Sequence, residues 1–250
     1  MSYYQIQNQA MELFNENSKL ATVIHKDHTL LPVINRLGIK LGFGDSTIRQ
    51  LCQINGIDVT FFVEIINVFR NENYFSAKKL LDFSVTIVID YLRKTHKYYL
   101  DYVLPEQERL IDLFIQNCQN DCKENELIRK FYNKFRDEFI NHIQFEEHQI
   151  FPYILQLNEC TLNLSSRDAF FRDYKEFTIK GFEQEHTDMD EKMFDLKNIL
   201  IKYLPPNYDL NIGNSLLASL FMFEKDMKNH SRIEDKILIP KVRQLEMLIS

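Results

Sequence analysis

The sequence predicts an all-α protein: an up-down-up-down four-helix bundle preceded by a small helical N-terminal domain. Three observations carry that expectation. Only six Gly and six Pro occur in 250 residues, against 45% apolar and 13% aromatic residues, so turn chemistry is scarce and side chains for a packed core are plentiful. Apolar residues recur at helical spacing over long stretches. The breaks between those stretches are few and polar: 117–124, 158–166 and Pro205-Pro206-Asn207, the last of which cannot sit inside a helix without cost.

Residues 1–76 read as the first domain. Residues 17–37 hold a helical pattern through Leu20, Ile24, Leu31, Ile34 and Leu37. A Gly-containing break, 38–44, follows. Asp45 or Ser46 is placed to cap a short helix that ends at Asn55-Gly56, and Asp58 to cap another carrying Phe61, Phe62, Ile65, Ile66 and Phe69. Three short helices invite comparison with a helix-turn-helix, but six Lys/Arg stand against seven Asp/Glu up to residue 76, which argues against a DNA reader.

Residues 77–250 read as the bundle, with helices expected at 77–117, 124–157, 166–202 and 209–246. Pro105 should kink or interrupt the first. Pro152 and Pro240 should bend the second and fourth.

Charge and composition exclude several classes. The net charge is −6 and no Lys/Arg-rich run occurs, so nucleic acid is not an expected partner. No apolar run reaches the roughly 20 residues that span a bilayer, and residues 1–10 lack the pattern of a secretory signal. Cys52, Cys118, Cys122 and Cys160 form no zinc-like pair set. A cytoplasmic protein with free thiols is the expectation.

The chemistry lies in a repeated pattern. His142-x-x-x-Glu146 is followed by Pro152, and His230-x-x-x-Glu234 by Pro240, each Pro ten residues after its His. A lone His precedes each: His96 lies 46 residues before His142, and His186 lies 44 before His230. On a helix, residues i and i+4 are about 40° apart and share a face. Four histidines and two carboxylates in two matching halves form the inventory of a two-metal site inside a four-helix bundle. Imidazole suits Fe, Zn, Cu and Ni, and a carboxylate adds hardness and can bridge two ions. Ferritin-like sites use Glu-x-x-His with lone Glu residues; here the roles are nearly reversed, giving a site richer in nitrogen. One His-x-x-x-Glu alone is more often a surface pair; two copies with matching His and Pro offsets point to metal.

The segments from Ile89 to His96, His142 to Pro152, Glu185 to Asp190 and His230 to Pro240 resemble the hemerythrin-like domain, and more narrowly the bacterial repair-of-iron-centres proteins. The resemblance covers about residues 80 to 245. It implies two Fe ions, oxo- or hydroxo-bridged, with His96, His142, His186 and His230 as terminal ligands and Glu146 and Glu234 as bridges. It also implies restoration of iron–sulfur centres in client proteins after nitrosative or oxidative stress, with O₂, NO or peroxide as small partners, and dimerisation through the N-terminal domain. That domain is similar to the family's leading domain from Leu31-Pro32 through Gly38-Ile39 to Leu51-Cys52. Where the family commonly carries Cys-Cys-Gly-Gly, this chain has Gly42-Phe43-Gly44-Asp45, so any step through paired thiols is missing. Cys52 is no obvious substitute.

No catalytic residue separate from the metal ligands is expected. Glu138 and Asp226, each one turn before a ligand His, and Glu185 beside His186 are candidates to orient a His or carry protons, or are acids at the wetter end of the bundle. His148 and Glu147 are expected to face away from the metals, Glu147 solvated. His25 and His28 sit at i, i+3 with no third ligand. Tyr98 and Tyr99 are expected in packing, and the many Phe in the core, where they keep water from the metals. Two functions compete: redox repair of iron–sulfur centres, and reversible O₂ or NO binding that signals through the N-terminal domain.

Overall fold

The computed structural model describes residues 12–117, 123–163, 166–174, 182–203 and 208–249, without the side chains of 77–78, 123–124 and 182–188. Among them the structure is helical; the β pairing is one isolated bridge, Lys19 with Thr47. The chain forms two compact units, 1–82 and 83–250.

The first unit holds helices α1 (Leu20–Lys26), α2 (Leu31–Arg36), α3 (Ile48–Asn55), α4 (Val59–Arg70) and α5 (Ala77–Asp82). The pattern over 17–37 is not one helix. Asp27 adopts extended backbone, and its side chain accepts from the Thr29 N–H, starting a 3₁₀ turn; Pro32 then opens α2. Thr47, rather than Asp45 or Ser46, caps α3, in a reciprocal capping box with Gln50. Asp45 instead pairs with Lys19, and the Ser46 hydroxyl donates to the Phe43 carbonyl. Gly56 closes α3 at φ +66°, the left-handed region that glycine occupies without strain. Asp58 caps α4 as expected. α5 groups with this unit and does not open the bundle.

The second unit contains α6 (Val85–Tyr98), α7 (Leu104–Asn117), α8 (Lys123–Phe145), α9 (Phe151–Leu162), α10 (Arg167–Asp173), α11 (Phe182–Tyr203), α12 (Leu210–Ile233) and α13 (Ile239–Ile249). The first bundle helix starts at 85, not 77, because the Ser84 hydroxyl caps it by accepting from the Ile87 N–H. α7, α8, α11 and α12 pack in a closed ring, each on its two neighbours. Antiparallel neighbours are marked by ion pairs: Glu108 meets Arg136 while Asp112 meets Arg129. The helix expected over 166–202 is broken: α10 ends at Tyr174, whose ring packs with Phe170 and Tyr153, holding α10 against α9.

Three π turns join helix pairs: Tyr99–Val103, Glu146–Ile150 and Glu234–Leu238. Each is followed, one residue later, by a proline: Pro105, Pro152 and Pro240. Proline has no N–H for the carbonyl four residues back, and its ring crowds that carbonyl. The widened turn relieves both. The residue before each proline donates five residues back, to Tyr99, Glu146 and Glu234 respectively. The expected bends are therefore π turns, two of which begin at the expected carboxylate ligands.

Below those turns the core is aromatic. Tyr99, Phe135, Phe139 and Phe223 are buried and meet edge-to-face, tilted or stacked at centroid distances of 5.1–6.2 Å. Phe223→Ala should destabilise the bundle by about 3–5 kcal/mol, read as a lower midpoint in denaturant with an unchanged slope.

Candidate metal centre

Helical spacing brings His142 Nε2 to 3.0 Å from Glu146 Oε1. The other oxygen of that carboxylate, Oε2, lies 2.9 Å from His96 Nε2 on α6. One fully buried carboxylate therefore addresses imidazoles on two helices, one with each oxygen. In the second half His230 Nε2 is 3.2 Å from Glu234 Oε1. The halves meet where His96 Nε2 and His230 Nε2 come within 3.2 Å. Donor atoms of His96, Glu146, His230 and Glu234 all lie within 4.8 Å of one another, and all four residues are buried.

Without a cation this arrangement is costly. Two carboxylates have no solvent exposure, and removing each from water costs roughly several kcal/mol unless charge is returned nearby. Two ring nitrogens face each other, and at most one can donate to the other. A positive ion bound by nitrogen and oxygen donors answers both problems. Among the described residues no other His, Cys, Asp and Glu group has metal-holding geometry; His25 and His28 are exposed.

Residues 88–242 match the model of the hemerythrin HHE cation binding domain. The chain belongs to the hemerythrin family. No curated protein matches it. The site is thus a metal-binding centre of the HHE type.

Of the six ligands expected from sequence, His96, His142, Glu146, His230 and Glu234 converge at this centre. His186 lies on α11, but its side chain is outside the described residues, as is that of Glu185. Glu138 meets Lys192 at 2.8 Å rather than a ligand. Asp226 accepts from the Tyr99 hydroxyl at 2.9 Å, and the Tyr99 ring stands edge-on to His230 at 5.8 Å. Asp226 therefore meets Tyr99, which packs against His230, rather than a ligand side chain directly. His148 faces solvent and its Nδ1 meets the Gln144 carbonyl, as expected.

Glu147 is the main departure. Its Oε1 lies 2.7 Å from His96 Nδ1, and its Oε2 accepts from Arg93 Nε at 3.0 Å. An ideal α-helix would turn Glu147 away from His96. The π turn rotates less per residue, so Glu146 and Glu147 flank one imidazole. Phe151 stacks on His96 at 5.5 Å with planes 6° apart, and the Arg93 guanidinium lies 5.7 Å from the Phe151 ring centre. Pro152 was the available signal, since a proline ten residues past His142 marks the π turn.

A cavity of about 10 Å³ adjoins His142, Glu146 and His230. That is room for about one water-sized body. Its apolar wall is Phe139, Ile143, Met189 and Met227; Asp190 and Ser231 are its polar residues beyond the expected ligands. Asp190 lies four residues after His186, the same spacing as His142 to Glu146. Sequence reading had not singled it out.

Burial works against charge on His96, but bonds to Glu146 and Glu147 outweigh it and raise the metal-free imidazole to about 9. Burial likewise pushes Glu147 up, yet His96 and Arg93 hold it below the ordinary carboxylate range. A raised folded-state His pKa stabilises the metal-free protein fully below about 6.5, and that stabilisation is lost as pH rises through about 9. A cation must displace the same proton. Metal affinity should therefore climb from pH 7 to about 9 and level off above it, while the melting temperature of the metal-free protein falls across the same window. Metal titrations and thermal melts over that range check both.

Proposed function

We propose that the chain is a non-haem di-iron protein that engages a small oxidant and protects or repairs iron–sulfur centres under nitrosative or oxidative stress. The observation that carries the two-ion reading is Glu146, whose oxygens face His96 and His142 separately. In this reading His96, His142, His186 and His230 would hold the irons together with Glu146 and Glu234, the two carboxylates being placed to act as bridges. Bound iron supplies the redox chemistry. The chain's own residues position the ions, and Phe139, Phe223 and Tyr99 limit water. A small cavity adjoins His142, and the partner in this reading is a small oxidant: O₂, NO or peroxide. The repair role rests on the resemblance of the ligand segments to the repair-of-iron-centres proteins, and with it come iron–sulfur clients, a cytoplasmic setting and a dimer through the N-terminal unit. Among the described residues no helix is long and apolar enough to cross a membrane.

The second reading is reversible O₂ or NO binding without turnover. Cys52 favours it. The thiol is fully buried, and burial together with Asp58 pushes it up to about 12, so it offers no thiolate for transfer chemistry. It cannot stand in for the family's cysteine pair.

Protein purified from iron-replete cells should carry two irons per chain. His142→Ala and Glu146→Ala should each lose iron and the oxo-bridge absorption. One zinc, untouched by those substitutions, would end the di-iron reading. With reductant supplied, turnover of NO or peroxide supports repair chemistry; reversible binding with no turnover supports the sensor.

A further inference from the structure

We propose that Tyr99, Tyr98 and Tyr102 form a relay that carries oxidising equivalents from the metal centre to the protein surface when peroxide acts without a ready reductant. The inference rests on the di-iron reading and goes beyond it, giving the centre a discharge route through the chain's own side chains.

The three rings make a continuous ladder. Tyr99 stands edge-on to His230 at 5.8 Å between ring centres. Tyr98 lies 6.0 Å from Tyr99, and Tyr102 stacks on Tyr98 at 6.2 Å with planes 30° apart. Every step falls within the roughly 4.5–7 Å of aromatic pairs in contact, so each electron transfer is short. Exposure rises along the ladder: Tyr99 is fully buried, Tyr98 is partly buried and Tyr102 is 66% exposed. Tyr98 closes α6, and Tyr99 and Tyr102 lie in the π turn that follows. Residues four apart on a helix are neighbours, which pairs Tyr98 with Tyr102. Phe139 and Phe223 also meet Tyr99, but a benzene ring is much harder to oxidise than a phenol. The chain has no Trp, so tyrosine is its most readily oxidised aromatic side chain.

The electrons and protons balance with groups on the page. Tyr99 gives one electron to the centre once peroxide has oxidised it. The Tyr99 O–H bond breaks, and the proton passes to Asp226 Oδ1, to which the hydroxyl already donates at 2.9 Å. The Tyr99 radical then takes an electron from Tyr98 and its proton back from Asp226. Tyr98, which reaches solvent, releases its proton to water and regains one when Tyr102 supplies the next electron. Tyr102 releases its proton to water. Net, one electron enters the centre and one proton enters solvent for each radical left on Tyr102. A small one-electron donor in solution, such as a thiolate, then restores Tyr102 with a proton from water. The relay also spares its surroundings. Met189 and Met227 wall the cavity beside His142, and a thioether left next to an oxidised centre is open to conversion to the sulfoxide.

The test treats the iron-loaded full chain with hydrogen peroxide, without reductant and with a spin trap present, and locates the trapped radical by mass spectrometry of the digest. Wild type should carry the adduct on Tyr102, and the metal-free chain should carry none. Tyr203 is comparably exposed, at 62%, and serves as the control for oxidant diffusing in solution; it should stay unlabelled. Tyr98→Phe removes only a hydroxyl, so it should keep its iron and lose the Tyr102 adduct. Tyr102→Phe, a surface change that does not threaten folding, should keep its iron and leave the radical on Tyr98 or Tyr99, seen as an adduct there and as a longer-lived tyrosyl signal in freeze-quenched paramagnetic resonance. Equal labelling of Tyr102 and Tyr203, a Tyr102 adduct undiminished by Tyr98→Phe, or iron-loaded wild type with no tyrosine adduct overturns the proposal and leaves the di-iron reading intact. A wild type that holds no iron overturns both.

Discussion

Everything in the second unit is arranged around two carboxylates that have no access to water. Glu146 and Glu234 are fully buried between imidazoles, and such charge persists only where positive charge or protons are supplied nearby. The two carboxylates tie together α6, α8 and α12, because Glu146 meets His96 on α6 as well as His142 on α8, and Glu234 meets His230 on α12. The aromatic layer of Tyr99, Phe135, Phe139 and Phe223 then serves two ends. It supplies the apolar area that holds the rods together, and it keeps the surroundings of the carboxylates dry, which strengthens every electrostatic interaction among them.

The proline-linked π turns are the local device that makes this packing possible. A regular α-helix would continue past Glu146 and Glu234 with an unchanged register. Instead the turn widens at the ligand itself, and Pro152 and Pro240 hold it wide by removing the N–H that a tighter turn would need. The same widening at Tyr99 places that ring against His230 and its hydroxyl on Asp226. Three groups that touch the centre from outside the expected ligand set, the partly buried Glu147 and the buried Tyr99 and Phe151, all lie in or directly beside π turns.

His96 and His142 have different surroundings. His96 is wedged among Glu147, Arg93 and Phe151, whereas His142 opens toward a cavity with a carboxylate, Asp190, on its wall. Support of this kind governs how firmly a ligand is held, while the ligand identities govern which ions suit the site.

The sequence by itself determined the helical class, the candidate residues His96, His142, Glu146, His230 and Glu234 that the fold brings together, and the sites of the bends, because all of these rest on short-range rules. Spacing of i, i+4 fixes which side chains share a helix face, and proline fixes where a hydrogen bond is missing. Only the tertiary structure decided what crosses between helices. Glu147 reaches His96 from 51 residues away, and Tyr99 reaches Asp226 from 127; no local spacing encodes either. The helical projection even turned Glu147 outward, since it assumed an α register where the chain forms a π turn. The end of α10 at Tyr174 was equally hidden, because what holds α10 in place is the packing of Phe170 and Tyr174 on Tyr153. Periodicity reports the face a residue lies on, but packing decides what that face meets.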